Sequence, residues 1–194
     1  MTKVIGLTGG IGSGKSTIAK YIRSKGIPVY IADEEAKNLL NTPKVIEKIK
    51  NTFGETIFEN QLLSKAKLAE LVFNDKRKLE ALNSIIHPEV HQHFKTWLKA
   101  NNKEPIVVKE AAILFESGSN SDCDYVISVI SPIDERISRV LARDHTTKQE
   151  VISRMNNQWS DEMRIAKSDF VIENIDLSKS YHQVDEILKK LQNQ

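Results

Sequence analysis

A glycine-rich segment, GGIGSGKST, occupies residues Gly9 to Thr17 and directly follows the apolar run VIGLT. This order predicts a strand, a turn and a helix, which together open a βαβ unit. Gly9, Gly14, Lys15 and Ser16 have the spacing of a phosphate-binding loop. In such a loop the backbone N–H groups point at phosphate oxygens, the Lys charge reaches the outer phosphates and the hydroxyl serves Mg²⁺. A flexible Gly/Ser turn would explain the glycines but not the Lys-Ser pair, so we expect a nucleotide phosphate to bind here.

Composition narrows the class of protein further. The chain has 194 residues, of which 40% are hydrophobic, enough for one compact unit with inserted subdomains. No apolar stretch approaches the roughly 18 residues of a membrane-spanning helix, and no cleavable signal precedes the first strand. The single cysteine, Cys123, cannot form an internal disulfide and fits a reducing compartment, and the net charge of +2 is spread along the chain. We expect a cytoplasmic protein with no membrane or nucleic-acid partner, and nothing in the sequence predicts its oligomeric state.

Strand and helix signals alternate along most of the chain, which predicts an α/β fold with a parallel sheet. After the first strand, further strands are expected at residues 27–31, 105–110, 124–130 and 169–172. Between the second and third strands the pattern changes to short, charged amphipathic helices with little strand signal. We therefore predict a helical insertion from residue 34 to about 101, broken at Pro43, Gly54 and Pro88.

The second half of the chain carries several helix start signals. Ser131 and Pro132 are typical of a cap and a first helical position, and a basic helix follows them. Thr147 and Glu150 have the spacing of a capping box for another helix. The last helix, residues 177–191, places apolar residues at helical spacing and should pack on the sheet.

Acidic residues at strand ends are the strongest candidates for chemistry, because ligands of open α/β sheets bind beyond the carboxyl ends of the strands. Asp33 closes the second predicted strand and Glu110 the third. Asp33 could accept the proton of a substrate hydroxyl, or it could cap the helix that begins at Glu34. Glu110 could hold Mg²⁺, directly or through water, or it could form a buried ion pair or a solvated strand end.

The basic helix places Arg136, Arg139 and Arg143 on one face. Such a face suits a lid that closes guanidinium groups onto transferring phosphates. The alternative is a solvated face with salt bridges to Glu135 and Asp144. Both interpretations stay open at this point.

Three histidines, His87, His91 and His93, lie on a predicted helix of the insertion. They do not predict a metal site, because no matching cysteine or carboxylate set accompanies them. We keep His87, which precedes Pro88, as a candidate for a hydrogen bond to substrate or within the protein.

Taken together, GLTGGIGSGKST, Ala32-Asp33, His87-Pro88, the ILFE segment of residues 113–116 and Arg139 with Arg143-Asp144 resemble the dephospho-coenzyme A kinases. The resemblance covers nearly the whole chain. It implies a P-loop kinase fold, a three-layer sandwich around a five-stranded parallel sheet, with a helical substrate-binding insertion and a lid. It also implies transfer of the γ-phosphate of ATP to the ribose 3′-hydroxyl of dephospho-CoA, with Mg²⁺.

The resemblance also implies domains and residue roles. The nucleotide-binding core would comprise residues 1–33, 105–135 and 168–194, the dephospho-CoA-binding domain 34–104 and the lid 136–167. The catalytic residues would be Asp33, Lys15, Arg139 and Arg143. The ATP-binding residues would be Gly10, Ile11, Gly12, Ser13, Gly14, Lys15, Ser16, Thr17 and Asn174. Substrate would bind Asp33, His87, Leu114, Phe115 and Glu116, and the metal would bind Ser16 and Glu110.

Two other functions compete with this one. A kinase for another small alcohol or nucleotide would share the loop and the lid but not the acceptor pocket. A nucleotide-dependent switch is disfavoured, because the chain has neither an Asn-Lys-x-Asp nor an Asp-x-x-Gly motif.

Overall fold

A computed structural model describes residues 2–73 and 75–192 of the chain. The described chain forms two compact units. One, the sheet unit, is built from the described parts of Met1–Ile31 and Leu98–Gln194. The other, the helical insertion, is built from Ala32–Trp97, where the pattern predicts residue 34 to about 101 and the resemblance implies 34–104. No helix among the described residues is both long and apolar enough to span a bilayer.

The strands of the described residues are β1 Lys3–Thr8, β2 Val29–Ile31, β3 Phe58–Glu59, β4 Leu62–Leu63, β5 Ile106–Glu110, β6 Tyr125–Ile130 and β7 Phe170–Glu173. Five of them form the parallel sheet of the sheet unit, in the order β2-β5-β1-β6-β7. Glu110 at the end of β5 lies beside Leu7 on one side and Ile31 on the other. The carboxyl ends of three strands therefore meet at one edge, which confirms the predicted parallel sheet.

The helices of the described residues are α1 Lys15–Ser24, α2 Ala32–Leu39, α3 Pro43–Phe53, α4 Lys65–Phe73, α5 Lys76–Ala100, α6 Ile133–Arg143, α7 Lys148–Asn156, α8 Asp161–Ile165 and α9 Leu177–Gln192. Two short 3₁₀ helices lie at Glu55–Ile57 and Ser119–Asp122. The capping box of Thr147 and Glu150 is present at the start of α7, as predicted. The last helix is confirmed as well, and its predicted apolar face, Val184, Ile187, Leu188 and Leu191, is buried in the core of the sheet unit.

The core of the sheet unit is apolar on both sides of the central strands. Ile5 of β1 and Val108 of β5 are completely buried on one face of the sheet, and their neighbours Val4 and Val107, which point to the opposite face, are buried as well. This pattern is expected where helices cover both faces of a parallel sheet. Cys123 lies just before β6, and burial raises the pKa of its thiol to about 12, so the thiol is protonated at neutral pH.

The helical insertion has an apolar core of its own, formed by the buried residues Val45, Ile49, Ile57, Leu68, Val72, Ile85 and Ile86. It also contains the antiparallel pair β3 and β4, which no strand signal in the sequence predicts. The turn between these strands places Asn60 and Gln61 at positive φ, a conformation that Asn adopts more readily than most residues.

Three predicted boundaries are wrong. Pro88 does not end a helix but lies within α5, whose buried side chains, including Ile85 and Ile86, hold the helix across it. Asp33 does not close β2, because the strong helix formers from Ala32 onwards begin α2 directly after Ile31. At α6, Pro132 is extended, with φ −51° and ψ 141°, so the helix begins one residue later than predicted and has no side-chain cap.

Candidate functional site

The glycine-rich loop connects β1 to α1 at the carboxyl edge of the sheet. Gly12 and Gly14 have φ of 78° and 92°, which glycine adopts without the steric cost of a Cβ. Within the described part of the chain, the backbone N–H groups of Gly12, Gly14 and Ser16 have no hydrogen-bond partner. Such N–H groups at a helix start attract anions, and the helix dipole adds to this. The loop therefore has the local structure of a phosphate site, as the sequence predicts.

Two side chains from other parts of the chain form hydrogen bonds with Ile11, at the apex of this loop. The N–H of Ile11 donates to Oε1 of Gln158 at 2.8 Å, and the carbonyl of Ile11 accepts from Nε of Arg136 at 2.9 Å. Arg136 is 5% exposed and pairs with Asp161, at 3.0 Å between Nη1 and Oδ2. Burial lowers the pKa of Arg136, which Asp161 partly offsets. Arg136 is thus packed against the apex of the loop and is not on an open face.

Arg139 lies one turn further along α6. Its guanidinium donates to Oγ of Ser131 at 3.0 Å, to the carbonyl of Asn174 at 3.0 Å and to Glu135 at 2.8 Å. A Cβ placed on Gly14 would be 3.9 Å from Nη1 of Arg139. Arg139 therefore lies beside the end of the loop that leads into α1, with one third of its side chain exposed.

Arg143 points more into solvent than the other two arginines of α6. It pairs with Asp144 at 2.8 Å, its side chain is 63% exposed, and this contact raises its pKa. The predicted alternative of a salt-bridged face therefore describes Arg143 and, in part, Arg139.

Asn174 follows β7 and is buried. Its side-chain amide donates to the carbonyl of Ser13 at 2.8 Å, while its Oδ1 accepts from Oγ of Ser180 at 3.0 Å. A Cβ on Gly14 would overlap the nitrogen of the same amide, so the close packing of Asn174 requires glycine there. The Asn174 side chain is bonded to the loop and to Ser180. A nucleotide base could therefore contact the residues next to Asn174 but not its amide.

Glu110 and Ser16 are the predicted metal ligands. Glu110 is 4% exposed, which rules out the solvated strand end, and Ser16 is exposed in the first turn of α1. Carboxylate and hydroxyl oxygens suit Mg²⁺, which commonly takes one or two protein ligands and completes its shell with substrate phosphates and water. Among the residues that the structure describes, no cluster of three His, Cys, Asp or Glu side chains could hold a metal alone. The pair therefore fits a metal that arrives with a nucleotide.

The ILFE segment forms a turn after β5. Leu114 is completely buried, and Phe115 stacks on Trp159 with ring centroids 5.4 Å apart. Oε1 of Glu116 accepts from the backbone N–H of Trp159 at 2.9 Å and from Arg164 at 3.4 Å. Leu114 thus offers no surface to a substrate, and Glu116 is anchored by one of its two oxygens.

Asp33 and His87 belong to the helical insertion. Asp33 is exposed in the first turn of α2, one residue inside the helix, so the alternative role as its N-cap is wrong. His87 lies within α5, where burial lowers the pKa of its imidazole. The ring is therefore mainly neutral at pH 7 and suits a hydrogen bond better than a charge interaction.

A cleft of about 270 Å³ opens at the carboxyl ends of β6 and β7 in the sheet unit. It is lined by Ile130, Ser131, Pro132, Asp161, Glu173 and Ile175. The cleft combines apolar walls with a few polar groups, as sites for heterocyclic ligands usually do.

Sequence reasoning missed Gln158, Asp161 and Ser180. No motif marks these residues, and Gln158 contacts the loop across 147 positions of sequence.

A phosphate-binding loop at this edge of a parallel sheet is the defining site of P-loop proteins, and arginines beside it are typical of those that transfer phosphoryl groups. Fold and site therefore define a P-loop kinase. The comparisons are more specific, because the dephospho-CoA kinase family model matches residues 3–179. The chain belongs to the dephospho-CoA kinase family.

Individual relatives agree. A dephospho-CoA kinase of Fusobacterium nucleatum is 42% identical over 88% of this chain and 89% of its own length. One from Bacteroides fragilis is 38% identical, covering 88% of this chain and 83% of its own length. A crystal structure of a Thermus thermophilus protein matches with a TM-score of 0.88 and 33% identity over 98% of both chains.

Proposed function

We propose that this chain transfers the γ-phosphate of ATP to the 3′-hydroxyl of dephospho-CoA, which yields coenzyme A and ADP. The observation that carries this proposal is the open N-terminal end of α1, with Lys15 in its first turn, in a chain of this family. Phosphoryl transfer needs little covalent help from the protein, so positioning and charge neutralisation account for most of the catalysis.

The donor phosphates would lie on the loop. Residues Gly10 to Thr17 would surround them, the N–H groups of Gly12, Gly14 and Ser16 would bind their oxygens, and Lys15 would neutralise the outer phosphates. Arg139, beside Gly14, would stabilise the charge that develops on the transferred group. Arg143 is exposed, and we propose that it adds a second positive charge from the lid, residues 136–167.

Ser16 and Glu110 would hold Mg²⁺ together with the phosphates. Bound there, the ion would neutralise phosphate charge and orient the phosphates for attack. The burial of Glu110 supports this role, since a buried carboxylate gains a great deal from a nearby cation.

The acceptor would bind through the helical insertion. We assign Asp33 as the group that accepts the proton of the 3′-hydroxyl, because it is exposed and comes directly after the carboxyl end of β2. His87, Phe115 and Glu116 are further contacts for dephospho-CoA. Leu114 is left out of this set because its side chain is buried.

The adenine of ATP would enter the cleft at the ends of β6 and β7. Ile175, which is 56% exposed directly after Asn174, offers apolar surface to a heterocyclic base there. A cytoplasmic location is proposed as well, since the chain has a single cysteine and cannot form an internal disulfide.

A coupled ADP-release assay tests the function directly. Mg²⁺-ATP is offered with dephospho-CoA, adenosine, a short sugar alcohol or no acceptor, and the product is identified by its mass. We expect release that depends on dephospho-CoA and a product heavier by one phosphate. Activity with another acceptor only would identify a kinase for a different alcohol, and equal release without acceptor would identify an ATPase or a switch.

A further inference from the structure

We propose that Gln158 and Arg136 are positioning residues that fix the apex of the phosphate loop by holding both polar backbone atoms of Ile11. This role deepens the proposed function and rests on it, because it concerns the same nucleotide site. Neither residue is assigned to the reacting groups.

The first support is the pair of hydrogen bonds at Ile11. Its N–H donates to Gln158 at 2.8 Å and its carbonyl accepts from Arg136 at 2.9 Å, so the peptide units on both sides of the residue are restrained. The two holding groups come from different places, Arg136 from α6 and Gln158 from the connection between α7 and α8. A loop restrained in this way keeps its following N–H groups directed before any phosphate arrives, which reduces the entropy lost on binding.

The second support is that Arg136 is itself held firmly. Asp161 accepts from Arg136 at 3.0 Å and, with its other oxygen, from Arg164 at 3.2 Å. Arg164 is completely buried and reaches Glu116 at 3.4 Å. A chain of ion pairs therefore connects the apex of the loop to the turn after β5. Breaking a buried pair by removing one partner is costly, so this chain resists movement of Arg136.

The third support is the steric need for two glycines. A Cβ on Gly10 would overlap Nη2 of Arg136, and a Cβ on Gly12 would overlap the carbonyl oxygen of Arg136. Gly10, unlike Gly12, does not have a positive φ. Glycine at position 10 is thus required by the approach of Arg136 and not by the backbone conformation.

The most direct test of the Gln158 contact is Gln158→Met, which keeps the length of the side chain but removes the acceptor. We expect the Kd for ADP, measured by calorimetry with Mg²⁺, to rise by about tenfold, as expected for a lost hydrogen bond in a partly buried setting. The KM for dephospho-CoA should stay unchanged, whereas general loosening of the fold would raise both. Gln149→Met, at an exposed position of α7, is the matched control and should bind ADP as the wild type does.

The Arg136 contact is tested with a double-mutant cycle of Gly10→Ala and Arg136→Lys. Lys presents one cationic group in place of the planar fork and cannot donate to both the Ile11 carbonyl and Asp161 in the same directions. Each single change should weaken ADP binding by about tenfold. The double variant should bind no worse than Arg136→Lys alone, because lysine lacks the Nη2 atom that the added methyl would overlap and its flexible end can shift aside. Additive losses would overturn the steric part of the proposal.

The two proposals fail in different ways. If the wild type binds ADP but does not phosphorylate dephospho-CoA, the proposed acceptor is wrong while ADP binding by the variants still tests the loop. If the wild type phosphorylates dephospho-CoA and Gln158→Met binds ADP with unchanged Kd, the positioning role is wrong.

Each variant must unfold at a temperature close to that of the wild type. If Gln158→Met does not fold, Gln158→Glu, which retains an acceptor, replaces it. Gln158→Glu should then retain more kcat than Gly10→Ala, and equal loss would count against the proposal.

Discussion

Lys15 is the residue whose charge the proposed transfer of the ATP γ-phosphate needs most directly. It occupies the first turn of α1, where its charge adds to the partial positive charge of the helix N-terminus. No other cation of α1 is placed in this turn, since Lys20 lies in its second half and is exposed. Removing either lysine takes the same charge from α1. A comparison of the two variants therefore shows whether the position of Lys15 in the first turn matters.

Lys15→Ala should lower kcat by about a hundredfold to a thousandfold, the usual cost of removing a group that stabilises transition-state charge. The coupled ADP-release assay measures this. Lys20→Ala should leave kcat within about twofold, because surface charges contribute little at that distance. A folded Lys15→Ala variant with near-normal kcat would contradict the assignment of the loop.

A variant of Asp33 can distinguish a role in proton transfer from a role in nucleotide binding. Asp33→Asn keeps the size of the side chain and should lower kcat by about a hundredfold, since a positioned base contributes that much or more. The Kd for ADP should not change, because the loop remains intact. Glu34→Gln, the exposed neighbour in α2, is the control. Equal losses of kcat in both variants would point to the charge of the first helical turn instead of a base.

At the scale of elements, α5 shows how packing overrides a local signal. Its 25 residues include Pro88, which removes one backbone hydrogen bond and is exposed. The buried residues Ile85, Ile86 and Phe94 on either side keep the helix continuous. Proline therefore lowers the stability of α5 without ending it.

Pro88→Ala should raise the free energy of unfolding by about 1 to 3 kcal/mol, since alanine restores the N–H and removes the ring. Urea unfolding followed by circular dichroism measures the change. Lys95→Ala, an exposed position in the same helix, should change it by less than about 0.5 kcal/mol. A less stable Pro88→Ala variant would mean that proline favours the observed geometry of the helix.

The sequence predicts elements well where the pattern is long and strongly periodic. The loop, the five strands of the sheet and α9 follow from spacing and apolar runs within each segment. The pair β3 and β4 could not be predicted, because each strand has only two residues. Gln158, Asp161 and Arg164 could not be assigned either, since their partners are chosen by tertiary contacts and not by neighbouring sequence. Leu114 belongs to a motif that does not distinguish a buried from an exposed side chain, so its complete burial could not be predicted.

On the scale of the whole molecule, carboxylates with lowered pKa values occur in both units. Lys44 and Lys48 lower the pKa of Glu89 from its ordinary 4.5 by hydrogen bonding to it, and Arg143 lowers that of Asp144 from 3.8. Since the folded values lie below the unfolded ones, this stabilisation is complete above pH about 4.5 and is lost as the pH falls through the lowered values.

Urea unfolding should therefore give a free energy of unfolding that falls below about pH 4.5, as these carboxylates bind protons on unfolding. Glu89→Gln should reduce that slope, because Gln cannot bind or release a proton. The exposed Glu80→Gln in α5 should leave the slope unchanged. A slope identical to wild type in Glu89→Gln would show that the two lysines do not favour its ionised form.

The strand order also sets the sequence of events while the chain is being synthesised. β1 and β2 emerge first, yet they are not neighbours, because β5 pairs between them and appears only after the helical insertion. The insertion, with a core of its own, is complete before any strand partner of β1 leaves the ribosome. We expect an unfinished nascent chain to carry the loop sequence without a sheet to hold it. We therefore expect nucleotide binding to begin only after β5 and β6, the two strands that pair with β1, have been made.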